Sequence, residues 1–356
     1  MTTIGDRIAT LRPVQLCRPQ PIADETPPPR APGLREVAAL AGVSISTVSK
    51  VMNKNPSVTR ATSARVQRAV ERIGYRPNMA ARALRGARTN TIAAVAPQSR
   101  QGFSDPYIGA ILTGIRDRAN ALGYRILLEQ AGPRAATGLA SNPSIEFCDI
   151  DASLCIGCTS EDLPEPLRTR PAMLVDARLT NRHVDHVTCD YHAAISQAML
   201  YLRQLGHRSI ALVNPIPGGP RSRELIAAYH DNLGREVEPQ VFEVAPTQQA
   251  GYEIARNLLE QLGGMTAIIA TDDRASMGIM QSLRAPAPGR RLSLVAMGDL
   301  EPLNCESNVT VLRLPLREVG ARACERLIAR LAGDTEIVSE KLRGHLVLAN
   351  PAVKIA

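Results

Sequence analysis

One short segment of the chain carries small hydrogen-bonding side chains on a single face of a predicted helix. The apolar residues Val48, Val51 and Met52 recur at helical spacing and fit a buried face. The residues left facing outward are Ile45, Ser46, Ser49 and Lys50. Hydroxyl groups that donate and accept, together with one cation, suit the base edges in the major groove of DNA. The segment is therefore a candidate base-reading surface.

A second group of polar residues lies where strand-like runs end or helices begin. Its members are Asp105, Tyr107, Asp176, Asp190, Arg221, Arg223, Asp272, Asp273 and Asp299. In parallel α/β folds a ligand sits beyond the carboxyl ends of the strands. Carboxylates accept paired hydrogen bonds from hydroxyl groups, so the group suits a polyhydroxylated or otherwise polar small molecule. Each residue alone also fits a helix cap or a loop.

The base-reading candidates require a helix, a tight turn and a second helix. The first helix is predicted over 34–40, and Gly42 supplies the left-handed turn that follows it. Ser44 is placed as the N-cap of the second helix, which is predicted to run from Ile45 to about Met52. This order is typical of a helix-turn-helix, whose second helix enters the major groove.

A third helix is predicted from Thr59 to the stop at Gly74, with Val66, Ala69 and Val70 on its buried face. Three helices of this kind can also pack together without any role in DNA binding. Charge favours the DNA-binding interpretation: residues 34–90 hold eleven Lys or Arg and two Glu, a net +9, while the whole chain carries +8. The basic excess is thus confined to the segment where phosphate neutralisation requires it.

The same segment resembles the lactose/galactose-repressor (LacI-type) family. The resemblance is carried by V-A-x-x-A-G-V-S-x-x-T-V-S from Val37, then Asn53, then G-Y-x-P-N-x-x-A-x-x-L from Gly74. Further landmarks are 206–210, 270–273 with Gly278, and 297–299, so the resemblance covers roughly residues 33–350. It implies a ligand-responsive transcription factor with a core similar to periplasmic sugar-binding proteins.

Pattern and resemblance together give the expected DNA contacts. These are Leu34, Arg35, Ser44, Ile45, Ser46, Thr47, Ser49, Lys50, Asn53, Thr62, Tyr75, Asn78, Ala81, Leu84 and Arg85. Short donors at helix ends, such as Thr47 and Tyr75, are expected to anchor phosphates, although Thr62 also fits a cap. In the family the hinge folds on DNA and inserts a leucine into the central minor-groove step, and Leu84 matches that leucine. A plain flexible linker is the alternative.

The organisation of the chain follows from composition and periodicity. Residues 1–32 are proline-rich and are predicted to be a disordered extension, which is a departure from the family. Residues 33–77 are predicted to form the helix-turn-helix domain, and residues 78–90 are predicted to form the hinge helix and linker. In 91–356, strands at 92–97, 124–128, 209–214, 267–270 and 292–296 alternate with helices at 108–122, 193–205, 250–262, 275–283 and 316–331. This alternation predicts an α/β fold with two lobes of parallel sheet that bind effector and dimerise. The resemblance implies crossings between lobes near Cys189, near Leu314 and close to the C-terminus.

The effector is less defined. The family commonly has an arginine four residues before an aromatic, and Leu225 stands there before Tyr229, so Arg221 or Arg223 would have to compensate from a loop. The chain has no Trp, three Phe and seven Tyr, few rings for stacking on a sugar. The resemblance favours Asp176, Asp272 and Asp299 as ligand contacts. Met-Gly-Asp at 297–299 resembles the gluconate-responsive branch, which suits a sugar acid.

Other functions are less consistent with the sequence. No phosphate-binding, dinucleotide-binding or nucleophile-elbow motif is present, so neither an enzyme nor a cofactor is expected. The pair Cys155 and Cys158 is interpreted as part of a buried strand, and His183, His186 and His192 as surface-loop residues rather than metal ligands. No signal peptide or membrane span is recognised, which favours the cytoplasm. The sequence predicts a repressor that binds a palindromic operator as a homodimer; the alternative is a solute-binding protein for transport.

Overall fold

The computed structural model describes residues 32–52, 55–75, 88–97, 102–130, 134–135, 138–139, 150–157, 170–177, 185–215, 220–234, 237–261, 264–284, 292–298 and 309–348. The predicted extension, most of the predicted hinge, and Asn53, Asn78, Ala81, Leu84, Arg85 and Asp299 lie outside these residues. The chain divides into two compact units, Met1–Asn78 and Met79–Ala356.

The N-terminal unit consists of α1 (Leu34–Ala41), α2 (Ile45–Met52) and α3 (Arg60–Ile73) in its described part. Val37, Val48 and Val66, one from each helix, are fully buried against one another in a small apolar core. Gly42 adopts φ 60° and ψ 41° and ends α1, so the left-handed turn is confirmed. Thr59 caps α3 by accepting the N–H of Thr62 at 3.3 Å.

The C-terminal unit contains two six-stranded sheets. The first, in spatial order, has β13 (Ser339–Leu342), β7 (His186–Cys189), β6 (Ala172–Val175), β5 (Ala152–Ile156), β1 (Thr91–Ala96) and β2 (Arg125–Gln130), all parallel. The second has β14 (His345–Val347), β12 (Val309–Arg313), β11 (Ser293–Gly298), β10 (Ala267–Ala270), β8 (Ile210–Pro215) and β9 (Val241–Val244), with only β14 antiparallel. Two short strands, β3 (Arg134–Ala135) and β4 (Gly138–Leu139), pair antiparallel with each other.

Helices cover the sheets and define two lobes. The described helices are α4 (Pro106–Ala121), α5 (Tyr191–Gln204), α6 (Pro220–Asp231), α7 (Gln248–Gln261), α8 (Asp273–Leu283) and α9 (Leu316–Ala332). We call the first sheet with α4 and α9 the N-lobe, and the second sheet with α5 to α8 the C-lobe. Strands β5 and β10 are buried along their whole length, as expected for parallel sheets covered on both faces.

The chain crosses between the lobes three times. It passes from β7 to α5 after Cys189, from β12 to α9 at Leu314, and from β13 to β14 near Gly344. Asp190, at the first crossing, caps α5 by accepting the N–H of Ala193 at 2.9 Å, and its carboxylate lies 3.8 Å from Nε of Arg343 at the third. The expected crossing points are confirmed.

Helices α4 and α9 cross at two glycines. A Cβ placed on Gly114 of α4 would lie 1.9 Å from the carbonyl oxygen of Arg317, and one on Gly320 of α9 would lie 2.2 Å from that of Ile111. Since real Cβ atoms do not approach other atoms so closely, the backbones can meet here only because both residues lack a side chain.

Asp151 holds the segment through which the chain enters β1. One oxygen of the Asp151 carboxylate accepts two hydrogen bonds from Thr89, from the backbone N–H at 2.8 Å and from the side-chain hydroxyl at 3.0 Å. The other oxygen accepts the backbone N–H of Asn90 at 2.7 Å. Thr89 is buried, so its N–H would otherwise be deprived of water. The carboxylate thus fixes the backbone of Thr89 and Asn90 immediately before β1.

Replacing Asp151 with asparagine should lower the free energy of unfolding of the C-terminal unit by about 1–2 kcal/mol, since charged acceptors are stronger than neutral ones. Urea unfolding followed by circular dichroism measures the change. The matched control is Asp117→Asn, whose carboxylate is 61% exposed and pairs only with its neighbour Arg116. We expect the control to lie within a few tenths of a kcal/mol of the parent; equal losses in both variants would contradict the assigned role of Asp151.

Several sequence predictions need correction. Predicted boundaries in the core differ from the observed ones by at most two residues, and β3, β4, β6, β7, β9, β12, β13, β14 and α6 were not predicted. His186 is not a surface-loop residue: it is buried in β7, with Nε2 3.1 Å from the hydroxyl of Ser339. His192 lies exposed on α5 rather than in a loop, and His183 is outside the described residues. Cys155 is buried in β5, as predicted.

Candidate nucleic-acid interface and effector site

Helix α2 presents most of the outward face that the sequence predicted, although Ser49 is half-buried. Ile45 is 45% exposed, and Ser46 and Lys50, one helical turn apart, are both exposed. The hydroxyl of Ser44 accepts the N–H of Thr47 at 3.1 Å and lies 2.8 Å from the hydroxyl oxygens of both Ser46 and Thr47. The first turn of α2 therefore carries three linked hydroxyls, and Ser44 serves as its cap.

The described part of the N-terminal unit has a basic surface. Its exposed cations are Arg35, Lys50, Arg60, Arg65, Arg68 and Arg72. The exposed acidic residues of the same part are Glu36 and Glu71. The excess of four positive charges is available to phosphate groups.

The remaining predicted DNA contacts of this unit have structural neighbours. Leu34 is half-buried and packs on the apolar core, while Arg35 beside it is exposed. The hydroxyl of Thr62 accepts a hydrogen bond from the Thr59 hydroxyl at 3.0 Å, so Thr62 belongs to the cap of α3. Tyr75 is half-buried, follows the left-handed Gly74 and donates its N–H to the carbonyl of Val70 at 3.0 Å.

In the C-terminal unit a buried carboxylate lies at the centre of the candidate effector site. Oδ1 of Asp176 accepts the hydroxyl of Thr188 and the N–H of Cys189, both at 2.9 Å. Oδ2 accepts the hydroxyl of Tyr107 at 2.5 Å and that of Tyr191. Asp176 follows β6 directly and has φ 49°, a left-handed conformation that is uncommon for a residue with a side chain. Two tyrosines are thus tied to one carboxylate at the carboxyl end of the first sheet.

Arg221 reaches this carboxylate cluster from the C-lobe. Its guanidinium carbon lies 4.7 Å from the centre of the Tyr107 ring and 5.4 Å from that of Tyr191, and Nη2 donates to the carbonyl of Thr271 at 2.8 Å. Burial lowers the pKa of Arg221, but attraction to the tyrosines, Asp176 and Asp272 outweighs burial and leaves the pKa above its ordinary value. A permanently charged guanidinium therefore lies between two aromatic rings.

Both tyrosines are held in their protonated form. Burial, followed by repulsion from the Asp176 carboxylate, raises the pKa of Tyr107 and of Tyr191 well above the usual tyrosine value. Each phenol therefore remains a hydrogen-bond donor to Asp176.

The other predicted effector residues mostly stabilise helix ends. Asp105 caps α4 through the N–H of Tyr107 and also pairs with Arg274 of the C-lobe at 3.2 Å. Asp272 caps α8, accepting two backbone N–H groups at 3.0 Å. Asp273 is buried. Its Oδ1 atom lies 1.7 Å from the position that a Cβ atom on Gly298 would take, so the carboxylate fills the space left by the missing side chain of this glycine.

The structure separates the two arginines that were expected to compensate for Leu225. Arg221 lies in the first turn of helix α6, not in a loop, and points to the tyrosine pair, while Arg223 is exposed. Leu225 and Tyr229 are buried in the core, and the Tyr229 hydroxyl donates to the carbonyl of Ile210 at 2.6 Å. A cation thus enters the site one helical turn before the position the family commonly uses.

Sequence reasoning missed Tyr191 and Arg274. Both lie beside predicted residues, Tyr191 after Asp190 and Arg274 after Asp273, in the first turn of a helix that follows a strand. That position was the available signal, because first turns at the carboxyl edge of a sheet face the cleft. In the described part of the chain, no cluster of three or more His, Cys, Asp or Glu side chains could hold a metal, and no helix is long and apolar enough to span a membrane.

Two family profiles match the chain. The profile described as "Bacterial regulatory proteins, lacI family" matches residues 33–78, and the "Periplasmic binding protein-like domain" matches residues 199–348. The first match contains the basic three-helix unit, and the second contains most of the C-lobe together with α9 and β13.

Relatives and solved structures extend the likeness over nearly the whole chain. The HTH-type transcriptional regulator PtxS of Pseudomonas aeruginosa is 29% identical over 319 residues, 85% of this chain and 90% of the relative. CelR of Thermobifida fusca is 28% identical over 339 residues, 90% of this chain and 98% of the relative.

Among solved structures, the Lac repressor dimer bound to operator and the anti-inducer ONPF superposes with a TM-score of 0.75 at 21% identity, covering 89% of this chain and 98% of that one. The complex of transcriptional regulator CelR with cellobiose has a TM-score of 0.61 at 26% identity with the same coverage. The three-helix unit, the two-lobed core and both profile matches agree. The chain therefore combines a DNA-binding unit that matches the lacI family of bacterial regulatory proteins with a core that matches the periplasmic binding protein-like domain.

Proposed function

We propose that this regulator is a repressor that binds a palindromic operator as a homodimer in the cytoplasm and responds to a small polar effector. The observation that carries the proposal is the exposed face of α2 on a basic unit within the lacI-family match. One helix-turn-helix contacts too few base pairs for genomic specificity, and twofold symmetry doubles the contacts on a palindrome.

The effector is proposed to bind between the lobes, around Asp176, Arg221 and Arg274. Polar groups from both lobes meet there, and the relative CelR has been solved with cellobiose. A ligand that binds one arrangement of the lobes more tightly shifts the population toward that arrangement. The proposed ligand class is a sugar or sugar acid. Regulation rather than catalysis is proposed as the role of this site.

Selection of binding sites from fragmented genomic DNA with the full chain tests the proposal. We expect enrichment of a palindrome with half-sites about one helical turn apart or a multiple of that spacing. Binding should weaken steeply with salt because phosphate contacts release counterions. Recovery of unrelated fragments without a shared sequence would contradict sequence-specific regulation. Such a result would favour the alternative, a solute-binding protein for transport with the same two-lobed fold.

DNA contacts other than those of the base-reading residues Ile45, Ser46 and Lys50 are also predictions. Thr47, Thr62 and Tyr75 are proposed to anchor phosphates from helix ends. The hinge residues Asn78, Ala81, Leu84 and Arg85, and Asn53 after α2, are proposed as further contacts on the strength of the family resemblance alone. Leu84 is proposed as the minor-groove wedge.

A further inference from the structure

Arg221 is half-buried, and among the described residues its guanidinium lacks the carboxylate partner that a cation removed from water ordinarily has. Within the described residues no carboxylate lies within ion-pair distance of it, and its one hydrogen bond goes to the Thr271 carbonyl. Its Nε is buried and has no hydrogen-bond partner among those residues. Buried charges in proteins are normally paired, since an unpaired one loses its hydration without compensation.

The nearest carboxylates are already engaged with other groups. Asp176 accepts four hydrogen bonds, two on each oxygen. Asp105 is paired with Arg274, and Asp272 accepts two N–H groups at the start of α8. Asp176 and Asp272 favour the charged form of Arg221, yet neither carboxylate is bonded to the donors of its guanidinium.

The two tyrosine rings restrict how Arg221 can be approached. They lie 4.7 and 5.4 Å from the guanidinium carbon and cover it, while both phenols are tied to Asp176. A ligand is therefore met by the edge of the guanidinium, where its donors lie in a planar fork. That fork matches a carboxylate, which can accept two parallel hydrogen bonds.

We propose that Arg221 binds the carboxylate of a polyhydroxy acid, and that Asp176 is a positioning residue that holds Tyr107 and Tyr191 around the guanidinium. This inference rests on the proposed function and narrows its ligand to sugar acids. The hydroxyl groups of the ligand are assigned to the acceptors on the C-lobe side, Asp272 and Asp273. A hydroxyl can share a carboxylate that already accepts other donors, because each carboxylate has about four acceptor sites.

The experiment is calorimetric titration of the full chain with acids and their neutral counterparts. The pairs are D-gluconate with D-glucitol, D-glucuronate with D-glucose, and D-galacturonate with D-galactose, at one pH and ionic strength. We expect at least one acid to bind tenfold or more tightly than its neutral counterpart. A neutral compound that binds as tightly as its acid, or no binding by any of the acids, would overturn the proposal.

Three variants test whether Arg221 causes the preference for acids over neutral compounds. Arg221→Gln should weaken binding of that acid at least tenfold and leave neutral compounds unaffected, whereas Arg223→Gln, two residues along the same helix and exposed, should match the parent. Arg221→Lys keeps the charge without the fork and should recover part of the affinity. An unchanged acid affinity in Arg221→Gln would overturn the assignment. Thermal melting confirms that each variant is folded.

The role of Asp176 is tested by a measurement that does not change when the protein is merely destabilised, the ratio of acid affinity to neutral affinity. In Asp176→Asn the ratio of acid to neutral affinity should fall, because the tyrosines no longer hold the guanidinium in place. An unchanged ratio would contradict the positioning role. The titrations use no DNA, so the acid preference can be absent while operator selection succeeds, and it can be present while operator selection fails. The two experiments therefore test the inference and the proposed function separately.

Discussion

Replacing Gly114 with alanine is expected to lower the free energy of unfolding of the C-terminal unit by about 3 kcal/mol. The added Cβ would lie 1.9 Å from the carbonyl oxygen of Arg317 and 3.0 Å from the backbone nitrogen of Ala321. Both atoms belong to the backbone of α9, so rotation of a side chain cannot relieve the overlap. The two helices must separate, and the contacts between α4 and α9 are lost along the crossing. Urea unfolding of the full chain, followed by circular dichroism, measures the loss.

The control lies in the same helix. Gly109 has no atom within 4 Å of the position of a Cβ, so Gly109→Ala removes only the flexibility of glycine. This control should raise stability by up to about 1 kcal/mol. If both variants moved the urea midpoint in the same direction by the same amount, close helix contact would not be the reason for glycine at 114.

Replacing Lys50 with alanine should weaken binding to the selected operator by about 1–3 kcal/mol, a factor of roughly 5 to 150. Lys50 is exposed on the outer face of α2, one turn after Ser46, where a base-reading cation is expected. Binding to scrambled DNA should weaken less, since only one charge is lost. Fluorescence anisotropy with operator and scrambled duplexes measures both affinities.

Arg72→Ala is the matched control for charge, because Arg72 is also exposed but lies in the last turn of α3. It should affect operator and scrambled DNA about equally. Lys50→Arg should retain operator binding, since a guanidinium can contact guanine with two donors. If Lys50→Ala left the preference for operator over scrambled DNA unchanged, α2 would not be the base-reading helix.

The three described helices of the N-terminal unit were predictable from the sequence almost residue by residue. Its helix ends are set by local signals: Gly42 and Gly74 adopt left-handed conformations, and Ser44 caps α2. Such signals act within four or five residues and need no knowledge of the rest of the fold. The predicted range of α2 matches the observed one for this reason.

The core was predictable only where burial leaves an apolar run. β10 is buried throughout, and its predicted bounds are the observed ones. β13 and β14 are edge strands with exposed positions; β13 carries no apolar run, and β14 is only three residues long. They are strands because they pair with β7 and β12, distant in the chain. Pairing over such separations cannot be inferred from local pattern.

The residues of the candidate effector site also differ in how far the sequence could predict them. Asp176 could be found because it ends an apolar, strand-like run, although its four donors come from two distant parts of the chain, Tyr107 and residues 188–191. Tyr191 and Arg221 belong to the site only because the crossing after β7 and the start of α6 bring them beside Tyr107. Their helices could be proposed from sequence, but the meeting of the two lobes could not.

The N-lobe is built from two separate stretches of the chain, and this affects when it can fold during synthesis. Its sheet begins with β1 at Thr91, but α9 and β13, which complete it, come from the last stretch of the described chain. A nascent chain that has emerged only as far as Arg313 can pair all C-lobe strands except the edge strand β14, while α4 has no α9 to pack against. Apolar residues such as Ile111 and Ile115, fully buried in the finished protein, are then uncovered. During translation the N-lobe is therefore the lobe whose apolar residues stay uncovered longest, although its first strand leaves the ribosome before any strand of the C-lobe.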